Sequence, residues 1–143
     1  MNSDVERWTL VFNDLCRQAV TTGKIVLNSS GKQHRDFISL NNAARAVHHF
    51  IFKAQDKWNG NLYNLGGENS MSVLDVANKI AGVYKSRYKK DISGIEVRPD
   101  EKSADYRPVK YSIEKLKKTG FSLQEDTVFE IEKTMELCEE FRI

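Results

Sequence analysis

Gly31-Lys32-Gln33-His34-Arg35-Asp36-Phe37-Ile38-Ser39 reads as a turn, an extended segment and the start of a helix, and the fold is decided by what flanks it. Upstream, Lys24-Ile25-Val26-Leu27-Asn28 is a short apolar run bounded by Gly23 and by Ser29-Ser30-Gly31, so two strands meet at a polar turn. Downstream, Leu40, Ala43, Ala44, Val47, Ile51 and Ala54 recur at helical spacing, with Phe50 and Phe52 widening the stripe. Arg35 falls in the middle of the extended segment, where its planar five-donor fork can be held by neighbours and aimed at a carboxylate or phosphate. Asp36 follows it, close enough to orient it, and the pair also suits a structural ion pair.

The chain has 143 residues, 40% hydrophobic and 29% charged, which is ordinary for one soluble globular domain able to bury a core. A net charge of +2 selects no class of partner. The basic cluster Lys85-Ser86-Arg87-Tyr88-Lys89-Lys90 lies at an expected helix C-terminus, where cations favour the dipole, and Glu125, Glu130 and Glu139 balance it. That pattern describes a solvated helix end rather than a nucleic-acid surface. Cys16 and Cys138 fall on apolar helical faces with no CxxC spacing, so each is expected to be a buried reduced thiol. No apolar run approaches a membrane span and no signal-type apolar region opens the chain, so a cytoplasmic location is expected.

In chain order, Val5, Trp8, Phe12, Leu15, Cys16 and Ala19 outline an amphipathic helix that ends near Thr22 with Gly23 in the C-cap position. The two strands and the second helix follow. Asn61-Leu62-Tyr63-Asn64-Leu65 reads as a short strand after Asn59-Gly60, running into Gly66-Gly67. Ser72 with Asp75 resembles a capping box, and Val73, Val76, Ala77, Ile80, Ala81 and Tyr84 carry a third helix. Ile95-Glu96-Val97-Arg98 alternates as a strand and Pro99 stops it. Pro108 to Tyr111 is extended, Ile113 to Thr119 is a short helix closed by Gly120, and Ser122 with Glu125 forms a second capping box. The last helix carries Val128, Ile131, Met135, Cys138 and Phe141 on one face. Strands alternating with helices give a mixed α/β class of short strands and four to five helices.

Several chemistries lack their residues. Gly66-Gly67 is a lone pair followed by Glu68, not a GxGxxG turn opening a helix after a strand, and no Ser/His/Asp order stands out. His34 reads as a turn residue, and His48 and His49 as positions flanking a helical core stripe, so no metal site is expected from them.

The ordered set Gly31 to Ile38, Asn42-Ala43-Ala44-Arg45-Ala46-Val47, Tyr63-Asn64-Leu65-Gly66-Gly67, Ser72-Val73-Leu74-Asp75, Arg98-Pro99-Asp100-Glu101, Tyr111 to Leu116 and Thr119-Gly120-Phe121 resembles the C-terminal portion of extended short-chain dehydrogenase/reductases. These are NAD(P)-dependent nucleotide-sugar epimerases and dehydratases. The resemblance covers essentially the whole chain and rests on the order and spacing of the set. It implies that residues 1–143 are a single substrate-binding fragment, including the last strand-helix unit of a Rossmann domain at about 36–67, without the glycine-rich half. Members carry a catalytic Tyr-x-x-x-Lys in that half; here the spacing occurs at Tyr106 with Lys110 and Tyr111 with Lys115, after the Arg98 strand, where the resemblance places no catalytic pair.

The resemblance further implies that Arg35 and Arg98 hold the diphosphate of a nucleotide-sugar. A doubly charged diphosphate suits always-ionised, bidentate guanidinium donors. Ile25, Leu27 and Asn28 would line the nucleobase through backbone groups, with Leu10 and Val11 contributing from the first helix. The glycine usual after Arg-Pro is Asp100 here, which adds a negative charge beside the expected phosphate. No catalytic residue and no cofactor site is expected in the chain itself; NAD or NADP is implied for a full-length protein. Alternatives are a stand-alone nucleotide-sugar-binding or regulatory module and an assembly element without catalysis. Without the Rossmann half, the Tyr63-Asn64-Leu65-Gly66 strand and the Asn42 to Ala54 helix lose their neighbours, so self-association is expected.

Overall fold

The computed structural model describes residues 10–57, 62–99, 107–108, 110–125 and 127–140. Among them are five α-helices, α1 (Val11–Thr22), α2 (Leu40–Phe52), α3 (Val73–Tyr88), α4 (Glu114–Lys117) and α5 (Thr127–Glu140), and four short strands, β1 (Ile25–Leu27), β2 (His34–Asp36), β3 (Ser70–Ser72) and β4 (Ile95–Val97). The chain folds as two compact units, one made of Met1–Gln33, Ser72–Arg107 and Thr127–Ile143, the other of His34–Met71 and Pro108–Asp126.

In the first unit α1, α3 and α5 pack on one another. Leu15, Cys16 and Ala19 of α1, Val76, Ala77 and Ile80 of α3, and Ile131, Met135 and Cys138 of α5 are buried. Each fully buried Ile or Met contributes roughly 1.5–3 kcal/mol of transfer free energy, so this three-helix contact is the main core of the unit. Gly23 ends α1 in the left-handed region (φ 66°), its N–H donating to the Ala19 carbonyl at 3.0 Å. β1 and β4 pair in parallel with Ile25 opposite Ile95 and Leu27 opposite Val97. Ser72 caps α3: its hydroxyl accepts the Asp75 N–H at 3.0 Å while the Asp75 carboxylate accepts the Ser72 N–H at 3.1 Å. Both cysteines are free and buried; burial pushes the Cys138 thiol up to about 11 and the Cys16 thiol further still, so neither is a ready nucleophile. Val5, Trp8 and Phe141 lie outside the described residues.

The basic end of α3 is paired. Arg87 and Tyr88 both reach Glu139 of α5, the guanidinium at 2.7 Å, and Lys85 meets Asp91 at 3.0 Å. α5 begins later than the sequence suggests: Ser122 and Glu125 lie in irregular chain before Thr127, so the expected second capping box does not open it. Val128 is also exposed rather than on the buried face.

In the second unit β2 pairs with β3. Ser39 caps α2, its hydroxyl accepting the Asn42 N–H at 3.0 Å. Ala46, Ile113, Leu116 and Phe121 form the core, with Phe50, Tyr63, Leu65 and Leu123 packed around it. The buried face of α2 is therefore not the apolar stripe. Asn42, Ala46 and His49 point inward, whereas Leu40 (81% exposed), Val47 (58%), Ile51 (48%) and Phe52 (69%) face out. The cause is polar: Asn42 exchanges two 2.9 Å hydrogen bonds with the Gln124 backbone, and Arg45 donates to the Ser122 carbonyl at 3.0 Å. Together with His49 on Thr119 at 2.8 Å, these bonds fix which side of the helix turns inward.

Tyr63-Asn64-Leu65 forms no strand; the strand in this region is β3, further on. The Leu62 carbonyl, which a ladder would use, accepts the Lys115 ammonium at 2.7 Å, and the Tyr63 ring packs on Phe50 with centroids 4.7 Å apart. His34, expected in a turn, is the first residue of β2. Residues 110–111 are irregular, and Gly120 closes the α4 segment at φ 96°. No helix of the described residues is long and apolar enough to cross a membrane.

Candidate functional site

The parallel β1–β4 pair determines what Arg98 and Asn28 can do. Beyond the last register pair, Leu27 opposite Val97, the Arg98 N–H donates to the Leu27 carbonyl at 3.1 Å. Arg98 and Asn28 therefore leave the carboxyl ends of two neighbouring parallel strands, and both are exposed. This is the edge at which open α/β sheets bind ligands, because side chains and backbone groups there are no longer consumed by the ladder. Ile25 and Leu27 are core side chains, 0% and 3% exposed, so a ligand at this edge would meet their strand through its backbone. The Ile25 and Val26 N–H groups are already used, by the Gly94 carbonyl at 3.1 Å and by Gln18 Oε1 at 2.7 Å. Leu10 and Val11, at the start of α1, are both exposed.

Arg35 belongs to the other unit, exposed at the centre of β2, with its Nη1 donating to the neighbouring His34 carbonyl at 2.9 Å. Asp36 does not orient it. The Asp36 carboxylate instead accepts the Gly67 N–H at 2.7 Å and the Asn69 N–H at 2.9 Å, while the Phe37 N–H donates to the Asn69 carbonyl at 3.2 Å. A carboxylate with two backbone donors is a loop clamp. The glycines complete it: a Cβ on Gly67 would stand 1.7 Å from the Phe37 carbonyl oxygen, and one on Gly66 would stand 2.4 Å from the Tyr111 ring. Sequence reasoning passed over Gly67 and Asn69 as functional partners of Asp36; the signal was an acidic residue 31 positions before a glycine pair.

The Gly66-Gly67 pair does not fit a dinucleotide pyrophosphate. Gly66 and Gly67 are filled by Tyr111, Asp36 and the Phe37 backbone, leaving no open cradle of N–H groups for a pyrophosphate. Tyr111 and Lys115 do not act as a pair: the Lys115 ammonium is bonded to the Leu62 carbonyl and sits 4.5 Å from the centre of the Tyr63 ring. Tyr106 and Asp100 lie outside the described residues. Among the described residues no group of His, Cys, Asp and Glu is arranged to hold a metal. His49 is buried against Thr119 and His48 is exposed.

No family model and no curated protein matches the chain. Among solved structures it is similar to RMD from Pseudomonas aeruginosa complexed with NADPH, with a TM-score of 0.76 and 15% identity, covering 96% of this chain and 45% of that one. It is also similar to dTDP-glucose 4,6-dehydratase from Bacillus anthracis str. Ames in complex with NAD, with a TM-score of 0.60 and 18% identity, covering 90% of this chain and 39% of that one. The chain spans less than half the length of either. What it shares with them is the fold, a mixed α/β arrangement of short strands and five helices that accounts for under half of each neighbour.

Proposed function

We propose that this chain is the nucleotide-sugar-binding, C-terminal part of an NAD(P)-dependent sugar epimerase or dehydratase, without turnover by itself. The observation that carries the reading is the exposed Arg98 beside Asn28 at the carboxyl ends of parallel β1 and β4. A guanidinium there offers two parallel N–H donors to a diphosphate. Leu10, Val11 and the backbone at Ile25, Leu27 and Asn28 serve the base in this proposal, and Arg35, on β2 of the other unit, is proposed as a diphosphate ligand in its own right.

Calorimetric titration of the chain with dTDP-glucose, the compound in the name of one neighbour, tests the reading. Arg98→Ala and Arg35→Ala should each weaken binding by about 1.5–3 kcal/mol, the range for hydrogen bonds to charged groups. Glucose alone should give no heat. Equal affinity for wild type and both variants would remove the arginines from the site, and no binding at all would remove the reading. We also propose that a second copy of the chain covers the outward row Leu40, Ala44, Val47 and Ile51 of α2. Such a row is self-complementary when two copies cross antiparallel, with the small Ala44 allowing close approach.

A further inference from the structure

We propose that the cleft between α2 and the Thr119–Ser122 turn is a binding site for a phosphate group, a tetrahedral dianion. The cleft, about 370 Å³ and open to solvent, is lined by Arg45, His48, His49 and Lys53 on one side and by Thr119, Gly120, Phe121 and Ser122 on the other. Arg45 and His49, at i and i+4, share one face of α2, and Lys53 follows as its C-cap residue.

Two of these groups are committed and hold the others in place. Thr119 Oγ1 donates to the Leu116 carbonyl at 2.6 Å, so it accepts from His49 Nε2 at 2.8 Å, and this buried imidazole is a strut. Arg45 spends only Nη1, which donates at 3.0 Å to both Asn42 Oδ1 and the Ser122 carbonyl while the guanidinium carbon stands 5.7 Å from the Phe121 ring centre. Its Nε and Nη2 remain unspent on a fork whose position is already fixed, which lowers the entropic cost of engaging a ligand. The Lys53 ammonium, exposed at the end of α2, has no hydrogen-bond or ion-pair partner among the described residues, and the His48 ring packs against the Phe52 ring. Lys57 adds a further ammonium beside the turn, on the Thr119 carbonyl at 3.0 Å.

Among the described residues that line the cleft there is no carboxylate. A purely structural basic cluster would resemble Lys85, Arg87 and Lys117 elsewhere in the chain, each of which faces an acidic partner. Here the charges converge without one. The chemistry that would supply what is missing is a compact anion with several acceptor oxygens, and the size of the cleft admits a phosphorylated small molecule as well as free phosphate.

The test is a ¹⁵N–¹H NMR titration of the whole chain with inorganic phosphate and with ribose 5-phosphate, against chloride at matched ionic strength. Saturable shifts confined to the Thr119–Ser122 amides and the end of α2 are expected. Lys53→Gln, an exposed substitution that leaves folding intact, should weaken binding about tenfold by removing one charge-assisted donor. Lys90→Gln, at a lysine that does not line the cleft, should change nothing. Tighter binding of the ester than of inorganic phosphate would identify a phosphorylated metabolite as the occupant, and the reverse order would identify the free ion. Shifts that never saturate, that chloride reproduces, or that Lys53→Gln leaves unaltered would overturn the proposal.

Discussion

Asp36 sits next to an arginine yet spends both carboxylate oxygens on backbone N–H groups of the 67–69 loop. Removing it strands two donors, so Asp36→Ala should cost about 1–3 kcal/mol in urea denaturation, the penalty for leaving part-buried polar groups unpaired. Gly67→Ala should be at least as damaging, since its methyl would meet a backbone oxygen that cannot swing aside. A stability change under 0.5 kcal/mol in both, the scale of ordinary surface substitutions, would show that the clamp is dispensable.

Glu139 gives a second residue-scale prediction. Its carboxyl is held below the usual range by hydrogen bonds from Arg87 and then Tyr88. A depressed carboxylate stabilises above its unfolded value of about 4.3, and that stabilisation disappears as pH falls through the folded value. The Glu139 side chain is 37% exposed, so solvent screening limits the pair to about 0.2–1 kcal/mol. Wild type should melt above Glu139→Gln at roughly pH 6, and the gap should close below roughly pH 4. Tyr88, pushed up to about 12 by burial and then by Glu139, adds a contribution present below its unfolded value of about 10 and lost as pH rises through 12. A gap that is the same at both ends of the acid range would show that Glu139 carries no stabilising pair.

At the scale of elements, the local signals read from the sequence hold where the determinant is local. Gly23 ends α1 and the Ser72/Asp75 pair opens α3 because each motif satisfies its own helix terminus within a few residues. The orientation of α2 was not legible. Its apolar period named one face, but the bonds that choose the other join Asn42, Arg45 and His49 to residues 70 to 82 positions further along. The 63–65 segment misled for a similar reason, since Lys115, 53 positions away, takes the Leu62 carbonyl. The strand-end edge proposed as a binding site was half legible: Arg98 and the 25–28 run were visible as separate motifs, and their adjacency is a parallel pairing that no local pattern encodes.

The outward row of α2 makes its own prediction. Sedimentation at micromolar concentration should show a self-associating chain, and Val47→Glu, at an exposed position, should give a monomer with unchanged helical signal. A monomeric wild type would leave the row without the second copy proposed for it. Within the first unit, Ile131→Ala should cost about 2–5 kcal/mol, because a fully buried side chain in a three-helix contact leaves a cavity.

At the scale of the whole molecule, neither unit is continuous in sequence: the first takes three segments of chain and the second takes two. This interleaving defeats a reading by linkers, since no composition shift marks the crossings at 33, 71, 107 and 126. A chain ending at residue 126 should therefore lose more than one helix's worth of structure. Without Ile131, Met135 and Cys138, the buried faces of α1 and α3 face water, and cooperative melting of the first unit should vanish.

The packing of α1 against α5 also sets a timetable for synthesis. A nascent chain emerges N-terminus first, and α1 leaves the ribosome with Leu15, Cys16 and Ala19 uncovered, because α5, the helix that closes over them, is translated only after the whole of residues 23–126. Until Glu140 has cleared the exit tunnel, the first unit is an open surface that a trigger chaperone can grip and a thiol reagent can mark at Cys16.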